Sequence, residues 1–426
     1  MLAIEIEKMV YGGKGLGRIG GKVVFVPFTA PGDRVQVEIR REKKDYAEAL
    51  LKSVERASPL RTPPFCRFFG DCGGCHLQHI PYGKQLPIKE EILMESLGRL
   101  QKDGGFEIRP VLASPVDRAY RIRVQMKVKE SNKIKKIGFY SLSSHNLVEV
   151  DQCPILHPPA GEILPALAAW LNSTGKGTDF SGVDLAIDPE EKRGVILLRA
   201  AGDFRPGMAA ELGKGLPKLK GALIKGRHEE SWGNPEISLR GPEGAGCGPL
   251  LFHLGHDSFF QVNPFQNREL IRLVVGWADL SGKESVLDLF CGAGNFSLPL
   301  AQRSARLWGV DFDRRAVQYA IRNARENGLS NCSFLPAGAR VGVERLKKEG
   351  ADLHLAVLDP PRVGAGEVLE ALAGLRPKRI LYVSCEPPTL VRDLARLRSL
   401  GYSLSRVQPL DMFPHTYHME VVAELV

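Results

Sequence analysis

Four short apolar runs, three of them ending on an acidic or reactive side chain, constrain this chain more than any other feature. Val286–Phe290 is apolar except for Asp288 and enters a turn built on Gly292 and Gly294, with a helix expected from Asn295. Arg306–Val310 ends in Asp311, and Val357–Leu358 ends in Asp359. Leu381–Val383 leads through Ser384 to Cys385, with a helix expected from near Thr389. Runs of this kind read as buried strands of an open α/β sheet. Such a sheet gathers its reactive groups beyond the carboxyl ends of its strands.

The residue types at those ends suggest a chemistry. A cysteine beside a helix N-terminus is favoured as thiolate, which makes Cys385 a candidate nucleophile; the plain alternative is a small core residue. Glycines after the first strand let a ligand approach the backbone. An acid after the second strand suits a ribose diol. The turn lacks the third glycine that a dinucleotide pyrophosphate wants, so an adenosine ligand such as S-adenosylmethionine fits better than NAD. Pro360 and Pro361 stiffen the loop after Asp359. In Asp411–Glu420, His415 and His418 lack a clear third metal ligand, whereas Glu420 suits a general base near the cysteine.

Ser258–Asn263, Asp288–Leu300, Asp359–Arg362, Ser384–Asp393 and Asp411–Glu420 follow one another in this order. Together they resemble the RNA uracil-5-methyltransferases that use S-adenosylmethionine, across essentially the whole C-terminal half. The resemblance implies a Rossmann-like class I methyltransferase domain, with Cys385 as nucleophile and Glu420 as base. It implies that Gln261, Phe290, Asn295, Asp311 and Asp359 line the cofactor and substrate site. A direct contact from Asp359 to the uracil is equally compatible. Gly338 stands where relatives often carry a polar or acidic residue near the adenine, which leaves adenine recognition there to the backbone.

Residues 1 to about 57 alternate apolar and polar positions in Leu2–Met9, Lys22–Val26, Arg34–Arg40 and Ala47–Val54, with a glycine-rich turn expected at Gly12–Gly17. This predicts a small β-barrel of a kind that commonly binds oligonucleotides. It resembles a TRAM domain. Cys66, Cys72 and Cys75 form a tight cluster, and Cys153, followed by Pro154, is available as a fourth thiolate. Spacing alone leaves zinc and an iron–sulfur cluster equally open. The resemblance, now to the ribosomal-RNA branch of the family, implies a [4Fe–4S] cluster.

Arg121–Lys129 predicts a strand with Ile122, Val124, Met126 and Val128 facing a core and Arg121, Arg123, Gln125, Lys127 and Lys129 facing outward. That basic face suits a phosphate backbone. The net charge of +9 agrees with a polyanionic partner. Residues 155–250 are less informative, and the glycines of Gly202–Gly215 and Gly241–Gly248 read as loops.

The expected architecture is multidomain α/β. A TRAM- or OB-like β-barrel covers 1–57, a β-rich central domain with the cysteines covers 58–250, and the methyltransferase domain covers 251–426. A helical piece at Pro87–Leu100 is expected to pack on the last of these. No apolar run is long enough to span a bilayer and no signal peptide is seen, so a cytoplasmic location is expected; the chain is also expected to be a monomer. The layout implies 23S ribosomal RNA as substrate, with transfer RNA as the alternative. An amino methyltransferase and an RNA-binding protein with a vestigial catalytic domain are the other classes.

Overall fold

A computed structural model describes residues 2–102, 104–173, 176–244 and 246–426. Five strands come first: β1 (Leu2–Val10), β2 (Lys14–Ile19), β3 (Lys22–Pro27), β4 (Arg34–Glu42) and β5 (Tyr46–Arg56). They close into a barrel in the order β1-β2-β3-β5-β4. Alternation places Ile4, Ile6, Val24, Val26, Val35 and Val37 inside. The expected glycine-rich turn is instead largely strand, because β2 runs through it. A Cβ at Gly15 would lie 2.2 Å from Thr29 Oγ1, and one at Gly17 would lie 2.4 Å from the Glu5 carbonyl oxygen. These glycines serve close approach within a narrow barrel.

Helix α1 (Tyr82–Lys102) and the short β6 (Glu107–Ile108) follow. The central sheet is built from β7 (Arg123–Ser131), β8 (Ile134–Tyr140), β9 (Leu147–Glu149), β10 (Phe180–Asp188), β11 (Arg193–Ala200), β12 (Leu219–Lys225) and β13 (Glu229–Gly233). Its order is β13-β12-β11-β10-β7-β8-β9. Helix α2 (Ala160–Asn172) packs on β8, and α3 (Met208–Gly215) on β12 and β13. The segment around α3 reads as loop in the sequence because of its glycines. Met208, Ala209 and Leu212 nevertheless supply an apolar stripe, and burying it holds the helix. In β7 the expected alternation is present, with Val124, Met126 and Val128 buried.

The C-terminal part begins with a hairpin of β14 (Glu236–Arg240) and β15 (Leu251–Gly255) and with helix α4 (Pro264–Ala278). Next come β16 (Ser285–Leu289), α5 (Ser297–Ala301), β17 (Arg306–Asp311), α6 (Arg314–Glu326), β18 (Cys332–Pro336) and α7 (Ala339–Lys348). The remainder is β19 (Leu355–Leu358), α8 (Leu369–Ala373), β20 (Arg379–Ser384), α9 (Pro387–Ser399), β21 (Leu404–Leu410) and β22 (Glu420–Leu425). The sheet order is β18-β17-β16-β19-β20-β22-β21-β6. Strands β16 to β20 run parallel, and β22 runs antiparallel to β20. The order reverses at β16, which lies between β17 and β19, and such a switch point opens a crevice at the carboxyl edge. Every residue of β19 and β22 is buried, as expected for strands covered on both faces. Helix α1 packs on α9, and β6 pairs with β21, so Tyr82–Ile108 contributes to this C-terminal body.

Candidate active site and cofactor cleft

The topology brings the strand ends to one edge. Cys385 follows β20, and Glu420 opens β22. Because β22 runs antiparallel, its first residue lies at the carboxyl edge of β20; Ser384 pairs with Val421. Asp359 follows β19 in the neighbouring position. The Cys385 thiol is pushed up to about 12, chiefly by burial and then by Glu420, while the positive charge of nearby Arg362 pulls it down. Helix α9 does begin beside Cys385, as the sequence implies. The helix N-terminus favours the thiolate, whereas burial pushes the sulfur the other way. Burial also holds Glu420 well above the usual carboxylate range, with Asp359 adding to the rise and Arg362 opposing it. Glu420 is 3 % exposed, and its Oε2 has no partner among the described residues. Burial, and then Asp311, lifts Asp359 to about 7.

The adjoining cleft is lined by Gln261, Phe290, Gly292, Asn295 and Asp359, among others. Gly292 and Gly294 have φ of +52° and +97°, so the turn depends on their lack of a side chain. Phe290 also has a positive φ, +64°, a strained conformation of the kind that collects at functional sites. Asn295 and Asn267 exchange two side-chain hydrogen bonds, of 2.8 and 3.1 Å, which fix the amide on α4. Asp311 stands just behind the cleft. It accepts from Gly292 N at 2.9 Å and Asp313 N at 2.8 Å, clamping the glycine turn to the end of β17. Asp288, which the sequence marks only as an interruption of an apolar strand, is fully buried. Its carboxyl is lifted to about 8 by burial, and Oδ1 has no partner among the described residues.

Cys66, Cys72, Cys75 and Cys153 are all free and line one cavity of about 610 Å³. Arg362 and His418 lie on the wall of the same cavity, so it reaches the mouth of the Cys385 site. Burial raises the thiols of Cys72 and Cys75 to about 11 and about 12, and raises Cys153 as well. The four sit in one another's electrostatic field. Among the described residues, no three His, Cys, Asp or Glu side chains converge tightly enough to hold one metal ion.

Comparison with known proteins decides the family. Residues 249–425 match the tRNA (uracil-5-)-methyltransferase model, and residues 2–60 match the TRAM domain of tRNA (uracil(54)-C(5))-methyltransferase. A 23S rRNA (uracil(1939)-C(5))-methyltransferase of Methylococcus capsulatus is 34% identical, over 99% of this chain and 96% of its own. An uncharacterized RNA methyltransferase of Caldanaerobacter subterraneus is 35% identical, over 99% of this chain and 96% of its own. The chain belongs to the RNA (uracil-5-)-methyltransferase family. The Pyrococcus abyssi tRNA (uracil-54, C5)-methyltransferase, solved with S-adenosyl-L-homocysteine, shares its fold. That structure has a TM-score of 0.75 at 24% identity, covering 99% of this chain and all of the other.

The basic strand of this RNA methyltransferase differs from its sequence reading at one end. Arg123 does not face solvent: its side chain is 13% exposed. It donates to Asp184 at 3.1 Å and to the Ser258 carbonyl at 2.6 Å, and lies over the Phe260 ring. It therefore holds the segment carrying Gln261. Arg121 donates to the Arg123 carbonyl at 2.9 Å. Lys127 and Lys129 remain exposed beside Tyr140. No local pattern distinguishes Arg123 from Lys127, because the covering loop lies more than a hundred residues away in sequence.

Proposed function

We propose that this protein methylates C5 of a uridine in 23S ribosomal RNA through a transient bond from Cys385 to C6. The observation that carries this reading is the placement of Cys385 and Glu420 on one sheet edge, with Arg362 at the sulfur. Uracil C5 is too weak a nucleophile to attack a methyl sulfonium unaided. Addition of the Cys385 sulfur to C6 makes C5 enolate-like. Arg362 stabilises the sulfur as it loses its proton. Asp359, held near 7, has the right strength to take that proton at neutral pH. Glu420, in its ionised form, later removes the C5 proton, and elimination frees Cys385. A buried carboxylate with a raised proton affinity suits this step.

S-adenosylmethionine supplies the electrophilic methyl group when bound. The glycine turn, Phe290, Asn295 and Gln261 would hold it, with Asp311 fixing the turn from behind; positive-φ glycines fit the close approach of an adenosine ligand. Cys66, Cys72, Cys75 and Cys153 would hold a [4Fe–4S] cluster. Four free thiols lining one cavity supply enough ligands for either centre, and the resemblance to the ribosomal-RNA branch favours the cubane. Anaerobically purified protein should then be brown with about four irons; one zinc in colourless protein would reject the assignment.

Ribosomal RNA is favoured because relatives of that name match nearly the full chain at 34–35% identity. Transfer RNA is the second reading, supported by the names of the matching family models. A cytoplasmic monomer is consistent with either; among the described residues no helix is long and apolar enough to cross a membrane. Two experiments test the proposal. RNA with 5-fluorouridine at the target should form a denaturant-stable adduct with the native enzyme and none with Cys385→Ala. Fluorine cannot leave as a proton, so elimination stalls. No adduct with the native enzyme would sink the covalent route. Loss of 5-methyluridine from transfer RNA alone, in a strain lacking the protein, would overturn the ribosomal assignment.

A further inference from the structure

The segment Asp411–His418, which delivers Glu420, is held from outside its own sheet. Lys89 of α1 is completely buried, and its ammonium makes three hydrogen bonds. It donates to Asp411 Oδ1 at 2.6 Å, to the His418 carbonyl at 2.9 Å and to the Phe413 carbonyl at 3.2 Å. One turn earlier, Gln85 is also fully buried. Its Oε1 accepts from His415 N at 3.0 Å, and its Nε2 meets His415 Nδ1 at 3.0 Å. Residues four apart share a helix face, so both side chains reach the same segment. His76 N and Leu77 N add two bonds to the His415 carbonyl, of 2.9 and 3.0 Å. His415 itself has φ of +66°, a strained conformation that such contacts can hold.

We infer that Lys89 and Gln85 are positioning residues for proton removal: they fix the backbone from Asp411 to His418 and thereby aim Glu420 at C5. The inference rests on the covalent route proposed above. A buried ion pair is not needed for stability as such, since well-packed apolar pairs often serve equally. What an apolar pair lacks is the three directed bonds that tie Asp411, Phe413 and His418 to one atom. Lys89 touches neither Cys385 nor the cofactor cleft, so addition and methyl transfer do not depend on it directly.

The test uses the full chain with Lys89→Met and, because that variant strands a buried Asp411, also the double variant Lys89→Met/Asp411→Leu. In both, S-adenosylmethionine affinity and the rate of adduct formation on 5-fluorouridine RNA should match the native enzyme. Turnover on unmodified RNA should fall about 100-fold, the scale set by a misplacement of about 1 Å. Adduct should then accumulate on unmodified RNA. The double variant should regain thermal stability while turnover stays low. Native turnover in the double variant would overturn the inference. So would a parallel loss of fluorouridine adduct and turnover, which would make the pair a fold determinant only. Failure of the native enzyme to form the fluorouridine adduct would remove the covalent route, and this inference with it.

Discussion

The central sheet and the carboxyl edge of the C-terminal sheet both bury carboxyl groups, and they treat them in opposite ways. In the central sheet Asp188 is fully buried, and Lys220 Nζ meets it at 2.8 Å; Ser238 N and Glu190 N also donate to it. Asp184 is similarly matched by Arg123 and Gln125. At the carboxyl edge of the C-terminal sheet, Asp288 and Glu420 each keep an oxygen without a partner among the described residues, and both carboxyls are pushed up. All four carboxyls are buried. What differs is whether a cation bonds the carboxylate directly. Where it does, the carboxyl joins a scaffold; where it does not, the carboxyl keeps a high proton affinity that chemistry can use.

The comparison breaks most sharply at Glu420. Glu420→Gln should still methylate but should slow product release by roughly 10²- to 10⁴-fold, the usual range for a general base. The adduct on unmodified RNA would then be visible on a denaturing gel; native turnover would show that another group is the base.

Lys220→Met tests the other side. It leaves Asp188 buried without its cation and should cost about 3–5 kcal/mol in denaturant unfolding. Turnover per folded molecule should not change. A kinetic defect with intact stability would mean that the paired carboxyl also has a catalytic role.

A further effect concerns pH. Asp288 is lifted from 3.8 to about 8, so it holds its proton more tightly folded than unfolded. Between those values the folded state carries the extra proton, and its stability therefore falls as pH rises through the window. Asp288→Asn should flatten that fall, with little change at pH 4 and a gain at pH 8. Parallel melting curves for the two proteins from pH 4 to pH 8 would refute the unpaired-carboxyl account.

The smallest effect is expected on the exposed end of β7. Lys127→Ala with Lys129→Ala should weaken RNA binding across sequences. The slope of log affinity against log salt should shrink by roughly 0.7 per lost contact with single-stranded RNA. An unchanged slope would class these lysines as solvated surface.

The sequence shows the C-terminal sheet well because doubly covered parallel strands read as apolar runs, and their last residues stand out against them. Cys385, Asp359 and Asp311 are legible on that ground, and the barrel strands are legible from strict alternation. Legibility fails where a residue's meaning comes from distant chain. Gly15 and Gly17 look like turn residues until Thr29 and Glu5 are seen beside them. Arg123 looks exposed until the Ser258 carbonyl covers it. Asp288 is visible as a lone carboxylate, but nothing local says that it lacks a cation. The high thiol value of Cys385 follows first from burial and then from Glu420, which arrives on a different strand.

The docking of α1 and β6 onto the C-terminal sheet also bears on how the chain is made. Lys89 and Asp411 are 322 residues apart. At about 5–20 residues per second, a ribosome needs roughly 15–60 s between synthesising one and the other. During that interval the apolar face of the helix, including Ile92, Leu93 and Leu97, waits for most of its packing partners. Contacts of such long range slow folding. They also limit modular exchange: a fragment cut at residue 251 would keep every strand-end carboxylate and the cysteine, yet leave β21 as a bare edge and Asp411 without its cation.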